Sequence, residues 1–227
     1  MTPGTVIVTG GASGLGAAIV DAVAREGGTP VILDIAAPRN GAECELVDLA
    51  ETSAAESAVA RVAARHGDID GVVTAAGIDA CGQLEDVPSD AWNRVVMVNL
   101  LGTAAVVRAA LPHLERSHGR VVTVASTLGL KAVSDATAYC ASKFGVVGFT
   151  RALAVETAGR VGVTMLVPGG MDTRFFEGRD EQYRPGADAQ LAPPADVADA
   201  VVFALGRPAG TELRELVVCP STEPSWP

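Results

Sequence analysis

The chain has 227 residues, with 27 acidic and 17 basic side chains and a formal net charge of −10. Hydrophobic residues make up 48% of it, mostly Ala and Val, and aromatics only 4%. That hydrophobic share excludes a disordered chain, and the acidic balance argues against nucleic acid or anionic membrane as partner, since both reward clustered Lys and Arg.

The length suits a single domain over 1–227. Cys44, Cys81, Cys140 and Cys219 are widely spaced, form no CxxC pair, and read as free thiols in a reducing compartment. His66, His113 and His118 fall at or beside polar helix ends and never pair with a cysteine at metal-ligand spacing, so no metal is expected. The N-terminus runs straight into a strand without a basic or long apolar leader, and no stretch of roughly 20 uninterrupted apolar residues occurs. A soluble, cytoplasmic protein is the expectation.

Short apolar runs alternate with longer Ala-rich helical stretches. This predicts an α/β chain with about seven strands in a doubly wound parallel sheet, covered by helices on both faces. The first strand, 5–9, ends in Thr9-Gly10-Gly11-Ala12-Ser13-Gly14-Leu15-Gly16, and a helix over 14–26 follows. Glycines there allow a sharp turn and let backbone N–H groups approach a pyrophosphate, which the helix N-terminus attracts. A Gly-rich turn that binds nothing has the same spacing, but its place between first strand and first helix points to a nucleotide. The second strand, 30–34, ends on Asp34, whose carboxylate can accept hydrogen bonds from an adenosine ribose diol and would repel a 2′-phosphate. An ordinary cap is the plainer alternative there. A third strand, 43–47, precedes Asp48, either a cap or a contact for adenine. Helix 52–66 and strand 71–74 then lead to Thr74-Ala75-Ala76-Gly77.

Helix 89–115 is apolar over 95–101 except for Asn99, a buried amide that needs a partner. Strand 120–125 delivers Ser126 to the carboxyl edge, where open α/β sheets place their ligands. The next helix, 137–158, opens with Tyr139-Cys140-Ala141-Ser142-Lys143, and at this spacing phenol and ammonium share a helix face. At an effective dielectric of about 20, a cation about 4 Å away contributes roughly 4 kcal/mol, or about three pKa units before solvent losses. That brings a phenol into working range for proton exchange. An isolated Tyr-x-x-x-Lys more often means a packed Tyr beside a solvated Lys, but only Lys131, Lys143, Tyr139 and Tyr183 are available to form such a pair. After strand 162–167, residues 169–194 form a connection of the length that functional loops have. Helix 195–205, strand 215–219 and the Pro-rich tail 220–227 complete the chain.

These residues, taken in order, resemble the short-chain dehydrogenase/reductases over most of the chain, from Thr5 to about Leu205. The turn T-G-x-x-x-G-x-G matches Thr9 to Gly16, the family's Asn, Ser and Y-x-x-x-K match Asn99, Ser126, Tyr139 and Lys143, and P-G-x-x-x-T matches Pro168, Gly169 and Thr173. The N-A-G after strand four departs, with Thr for Asn in Thr74-Ala75-Ala76-Gly77, and the usual Gly-Gly ending is missing. The resemblance implies a Rossmann fold and a hydride-transfer enzyme using NAD(H). It implies Tyr139 as proton donor or acceptor, and Lys143 as the group that lowers the Tyr pKa and holds the nicotinamide ribose. Ser126 would bind the substrate oxygen, and Asn99 would anchor a water leading from Lys143 to solvent. Gly10, Ser13, Gly14, Leu15 and Gly16 would hold the pyrophosphate side. Asp34, Asp48, Leu49, Ala75, Ala76 and Gly77 would meet adenosine, and Pro168, Gly169, Met171 and Thr173 the nicotinamide.

The expected substrate is a small alcohol or carbonyl compound, in a pocket drawing on Ile78, Leu128, Gly170 and the 169–194 loop with Phe175, Phe176 and Tyr183. Those aromatics can equally pin the loop to the body. An NADP(H)-dependent ketoreductase is the nearest rival, disfavoured by Asp34 and by the lack of Lys or Arg at 11–15 and 35–38. A dinucleotide sensor without catalysis is a second rival, with no need of the Asn99–Ser126–Tyr139–Lys143 set. An epimerase or dehydratase would need a larger substrate domain. Apolar residues on helices 89–115 and 137–158, such as Val146, Val147 and Phe149, predict a homo-oligomer, a tetramer or a dimer, with the Trp226 tail folded over a neighbouring subunit.

Overall fold

Val6, Ile7 and Val8 are fully buried in strand β1 (Thr5–Thr9), yet they serve different layers: Ile7 joins one hydrophobic cluster, Val6 and Val8 the other. A strand turns successive side chains to opposite faces, so a sheet covered on both sides needs apolar residues throughout. The same division runs through β2 (Thr29–Asp34), with Val31 and Leu33 on one side and Ile32 on the other. The remaining strands are β3 (Cys44–Leu46), β4 (Gly71–Thr74), β5 (Arg120–Val124), β6 (Gly162–Pro168) and β7 (Glu215–Val218). All pair in parallel in the order β3-β2-β1-β4-β5-β6-β7. This computed structural model describes residues 2–39 and 41–226.

Helices α1 (Gly14–Arg25) and α6 (Pro194–Leu205) pack together over one face. Over the other lie α2 (Thr52–His66), α4 (Thr103–Ser117) and α5 (Thr137–Glu156). The architecture is the Rossmann arrangement. The chain leaves β1 toward β2 and β3, then returns to the other side of β1 through β4. Ligands of such sheets bind at the carboxyl ends of the strands beside this reversal.

The helix expected over 89–115 runs as α3 (Ser89–Val96), a π-helical turn (Met97–Gly102) and α4. Wide turns of this kind collect at functional sites, and this one carries Asn99. By length and a mean hydropathy of 1.7, Ser89–Ser117 could cross a membrane, but half of its apolar window is buried inside this fold. That is the behaviour of a core helix, and Arg94 and Arg108 interrupt it.

One expectation is corrected. Val146 and Val147 are buried, and Phe149 packs against the core, so none of the three offers the free apolar surface assigned to it. Leu101, Phe144 and Val155 are the exposed apolar side chains of these helices. The segment 220–226 is anchored on its own chain, where Glu223 accepts from the Gly170 N–H at 2.8 Å and Lys131 donates to the Pro224 carbonyl at 3.1 Å, and Trp226 is exposed at its end. Pro227 of the expected tail lies outside the described residues.

Candidate functional site

Gly10 follows β1 with φ +68°, a conformation that favours glycine, and a Cβ there would lie 2.7 Å from the Cα of Ala76. The next loop is stitched to it, because the Thr9 hydroxyl accepts from the Ala76 N–H at 3.0 Å. A Cβ on Gly16 would collide with the Gly10 carbonyl oxygen. The turn is therefore folded tightly on itself, and α1 starts at Gly14 with its N-terminus facing a cleft of about 960 Å³. Oriented backbone N–H groups at a helix start are the donors an anionic phosphate needs.

The cleft spans the sheet reversal from Asp34 and Asp48 to Tyr139. Gly10, Ser13, Gly14, Leu15, Gly16, Asp34, Asp48, Leu49, Ala75, Ala76 and Gly77 all line it, as do Pro168, Gly169, Met171 and Thr173. Ser126, Tyr139 and Lys143 line it too, with Ile78, Leu128 and Gly170 nearby. The glycine cradle, the α1 N-terminus and the length of the cleft fit a dinucleotide.

Asp34 does more than face the cleft. Its Oδ2 accepts from the Ala12 N–H and its Oδ1 from the Ala36 N–H, both at 3.0 Å, so the carboxylate also fastens the glycine-rich turn. Asp48 accepts from the Ala50 N–H at 2.9 Å and pairs with Arg94 at 2.8 Å, which hold its carboxyl below the usual range despite some burial. Arg94 also lines the cleft, and the sequence had not singled it out.

Asn99 does not line the cleft. It is buried behind it, accepting from the Ile78 N–H at 2.8 Å and donating to the Ile78 carbonyl at 2.9 Å and the Ser142 hydroxyl at 3.0 Å. This clamps the loop after β4 onto α5. A Cβ on Gly77 would lie 3.6 Å from Lys143 Nζ and 3.7 Å from Asn99 Oδ1, in ordinary contact with both, so the two polar atoms border one spot. Thr74 makes no comparable bond, and its buried hydroxyl has no partner among the described residues.

Lys143 is 3% exposed and donates to the Val124 carbonyl at 2.8 Å. Burial lowers its pKa to about 8. Its Nζ lies 5.6 Å from the centre of the Tyr139 ring. Burial pushes Tyr139 up to about 12, against the Ser126 hydroxyl beside it, which favours the anion. The sequence predicted a lowered phenol. In the protein alone desolvation wins, and Lys143 is not among the groups that pull the phenol down.

The loop after β6 brings features the spacing could not show. Phe175 packs on Tyr139 with ring centres 5.6 Å apart, and the Arg179 guanidinium lies over Phe175 and Phe176 at 4.5 and 4.8 Å. Arg179 faces Asp79 at 3.1 Å, and both line the cleft. Phe175 and Phe176 line it as well, whereas Tyr183 does not. Thr222, Glu223, Pro224 and Ser225 form part of the wall. Among the described residues no three His, Cys, Asp or Glu side chains are grouped to hold a metal ion.

Residues 4–184 match the short chain dehydrogenase family model. The chain is 33% identical over 174 residues to D-beta-hydroxybutyrate dehydrogenase of Cupriavidus necator, covering 70% of this chain and 67% of that protein. It is 31% identical over 226 residues to an uncharacterized oxidoreductase of Staphylococcus epidermidis, covering 94% and 96%. Its fold is similar to that of an alcohol dehydrogenase from the archaeon Thermococcus sibiricus complexed with 5-hydroxy-NADP, with a TM-score of 0.84, 24% identity and 95% of each chain covered. The chain belongs to the short-chain dehydrogenase family. It is an oxidoreductase acting on an alcohol or its carbonyl product, and the family's ligand is a nicotinamide dinucleotide.

The buried ammonium has a measurable cost. Lys143 titrates at about 8 in the folded chain against 10.5 for the unperturbed group. The unfolded chain therefore binds more protons between these values, and stability rises with pH across that window. Charged at pH 7, the side chain costs the fold on the order of 3 kcal/mol, part of which its bond to Val124 offsets. Lys143→Met should abolish turnover yet raise Tm by a few degrees at pH 7. Its advantage should shrink as pH climbs through that window. Thermal melts at several pH values check this, and a variant less stable than wild type at pH 7 would contradict it.

Proposed function

We propose that this protein interconverts a small secondary alcohol and its carbonyl compound with NAD(H), using Tyr139 as the acid and base. The observation that carries the reading is the convergence of Tyr139, Ser126 and Lys143 at the carboxyl edge, in one cleft with the glycine cradle. The dinucleotide supplies or receives the hydride; the chain aligns it and manages the proton. Ser126 donates to the reacting oxygen and Tyr139 exchanges its proton. Lys143 holds the nicotinamide ribose hydroxyls, and its charge eases ionisation of the phenol. Asn99, facing the same spot beside Gly77 as Lys143, anchors a water that passes protons between Lys143 and solvent. Similarity to a hydroxybutyrate dehydrogenase supports a small hydroxy compound as substrate. Four free cysteines support a reducing, cytoplasmic setting.

Tyr139→Phe should remove turnover while leaving NAD(H) affinity within a few-fold. The raised phenol pKa gives the pH dependence its sign: the acid form is abundant at neutrality and the base form grows with pH. Alcohol oxidation should climb steeply from about pH 6 to about pH 9, while carbonyl reduction stays level or falls. Substantial activity in a folded Tyr139→Phe variant, or a flat oxidation profile, would contradict the assignment.

The choice of NAD(H) over NADP(H) rests on Asp34. Its carboxylate lies in the cleft wall at the end of β2 and can accept from a ribose diol, a charge-assisted bond of about 1.5–3 kcal/mol. A 2′-phosphate would meet that charge instead, and Arg94, the cation at this end, is already paired with Asp48. NAD(H) should be preferred by about tenfold or more in kcat/KM, which is about 1.4 kcal/mol. Asp34→Ala should narrow the gap, and adding Ile35→Arg should reverse it. Equal initial rates with both cofactors on one substrate would make Asp34 a turn fastener alone.

The same reading includes a symmetric homo-oligomer, a tetramer or dimer, supported by Leu101, Phe144 and Val155 exposed on the helices of one sheet face. Light scattering at micromolar concentration should give a multiple of the chain mass; a monomer would refute this part.

A further inference from the structure

The parallel ladder ends where the chemistry begins. Past the Ala125 N–H, bonded to the Leu166 carbonyl at 2.8 Å, and the Gly169 N–H, bonded to the Val218 carbonyl at 3.0 Å, the loops after β5 and β6 have no sheet to hold them together. The first loop carries Ser126 and Thr127, the second Gly169, Gly170 and Thr173. The segment 222–225 bridges the two.

Glu223 is its centre. Oε2 accepts from the Gly170 N–H at 2.8 Å, and Oε1 accepts from the Ser225 hydroxyl at 2.6 Å and the Ser225 N–H at 3.1 Å. The Ser225 hydroxyl also lies 2.6 Å from the Thr127 hydroxyl. A hydroxyl has one proton, and Ser225 gives its own to the carboxylate, so Thr127 is the donor in that bond. The result is a directed chain from Thr127 through Ser225 to the Glu223 carboxylate, which the Gly170 N–H meets from the other side; bonds that end on an ion are the strongest. Burial acts to raise the Glu223 pKa, but the bonds from Ser225 and Gly170 outweigh it and keep the group ionised. Thr222 and Lys131 fasten the flanks, donating to Gln190 Oε1 at 2.9 Å and to the Pro224 carbonyl at 3.1 Å. Gly169 fits the same picture, since a Cβ there would strike the Glu223 carboxylate and come within 2.6 Å of Cys219 Cβ.

We propose that Glu223 and Ser225 form an intramolecular clamp that sets the separation between the Ser126 loop and the Gly169–Gly170 turn, making both positioning residues for hydride transfer. The proposal rests on the functional reading above. Ser126 orients the substrate oxygen, and the turn holds the nicotinamide end, so the clamp fixes the distance between the two reactants. A misplacement of about 1 Å between reacting groups can cost on the order of a hundredfold in rate.

The test compares wild type, Ser225→Ala, Glu223→Ala, Glu223→Gln and the double Ala variant. NADH affinity by fluorescence titration, kcat and KM on one alcohol, and Tm are measured for each. Ser225→Ala cuts the Thr127 link to the Ser126 loop and removes one hydroxyl bond from Glu223, but leaves Glu223 on the Gly170 N–H, so kcat should fall about tenfold with NADH affinity and Tm nearly unchanged. Glu223→Ala frees the turn as well, so NADH binding should weaken by about fivefold or more besides. Glu223→Gln, which still accepts from Gly170, should recover the affinity, and the double variant should be no slower than Glu223→Ala. Variants whose kcat and NADH affinity match wild type, whatever their Tm, would overturn the clamp. If Glu223→Ala does not fold, Ser225→Ala decides through kcat alone. A wild-type protein that neither binds NADH nor oxidises any alcohol defeats the functional reading; an active wild type with active variants defeats the clamp only.

Discussion

Lys143 carries an ammonium group into a nearly closed position at the end of β5, where the Val124 carbonyl receives it. A buried charge must either find partners or lose its proton, and this one stands close to that balance, with a pKa of about 8. Much of the site follows from keeping it there. Helix α5 must begin directly over the end of β5. Asn99 is turned inward by a π-helical turn to face the same spot beside Gly77. Tyr139, one helical turn before Lys143, is displaced in the opposite direction, toward the neutral phenol. The Lys143 shift opposes stability at neutral pH, whereas the Tyr139 shift costs nothing until pH nears 10; both bear on proton transfer, and perturbed groups of this kind cluster at active sites.

The loops at the carboxyl edge are fastened by polar groups that look individually ordinary. Thr9 ties the β4 loop to the glycine turn, Asp34 ties that turn to the end of β2, Asn99 ties Ile78 to α5, and Glu223 ties the β6 turn to the tail. Each side-chain oxygen receives a backbone N–H that no strand or helix can satisfy. The cleft is thus a set of backbone segments cross-linked at the one edge where the sheet cannot pair them. Such an arrangement suits reactants that must be held within a fraction of an ångström.

The strands were legible because a sheet buried on both faces leaves apolar runs without alternation, and every one of the seven appears within two residues of its expected bounds at each end. Cofactor-side residues were legible because tight turns demand glycine, and glycine is visible in sequence. The π-helical turn was not, since Asn99 in an apolar run reads equally well as a kink or a satisfied polar group. Arg179 and Asp79, 100 positions apart, carry no local signal, and their pairing depends on where the 169–194 loop comes to rest. Glu223 looked like part of a Pro-rich tail, and nothing local in the sequence pairs it with Gly170, 53 positions away. The phenol pKa was misjudged because spacing on a helix gives a shared face but neither the distance nor the desolvation of the charge that shares it.

The coupling between a buried ammonium and a half-buried phenol can be read spectroscopically, because the chain has only two tyrosines, Tyr139 and Tyr183. The difference in phenolate absorbance between wild type and Tyr139→Phe, followed against pH, isolates Tyr139 with and without NAD+. In the protein alone Tyr139 should show almost no phenolate below about pH 10, and NAD+ should bring its ionisation down by at least about one pH unit. A Tyr139 that titrates at the ordinary value in both conditions would contradict its assignment as the group that exchanges the substrate proton.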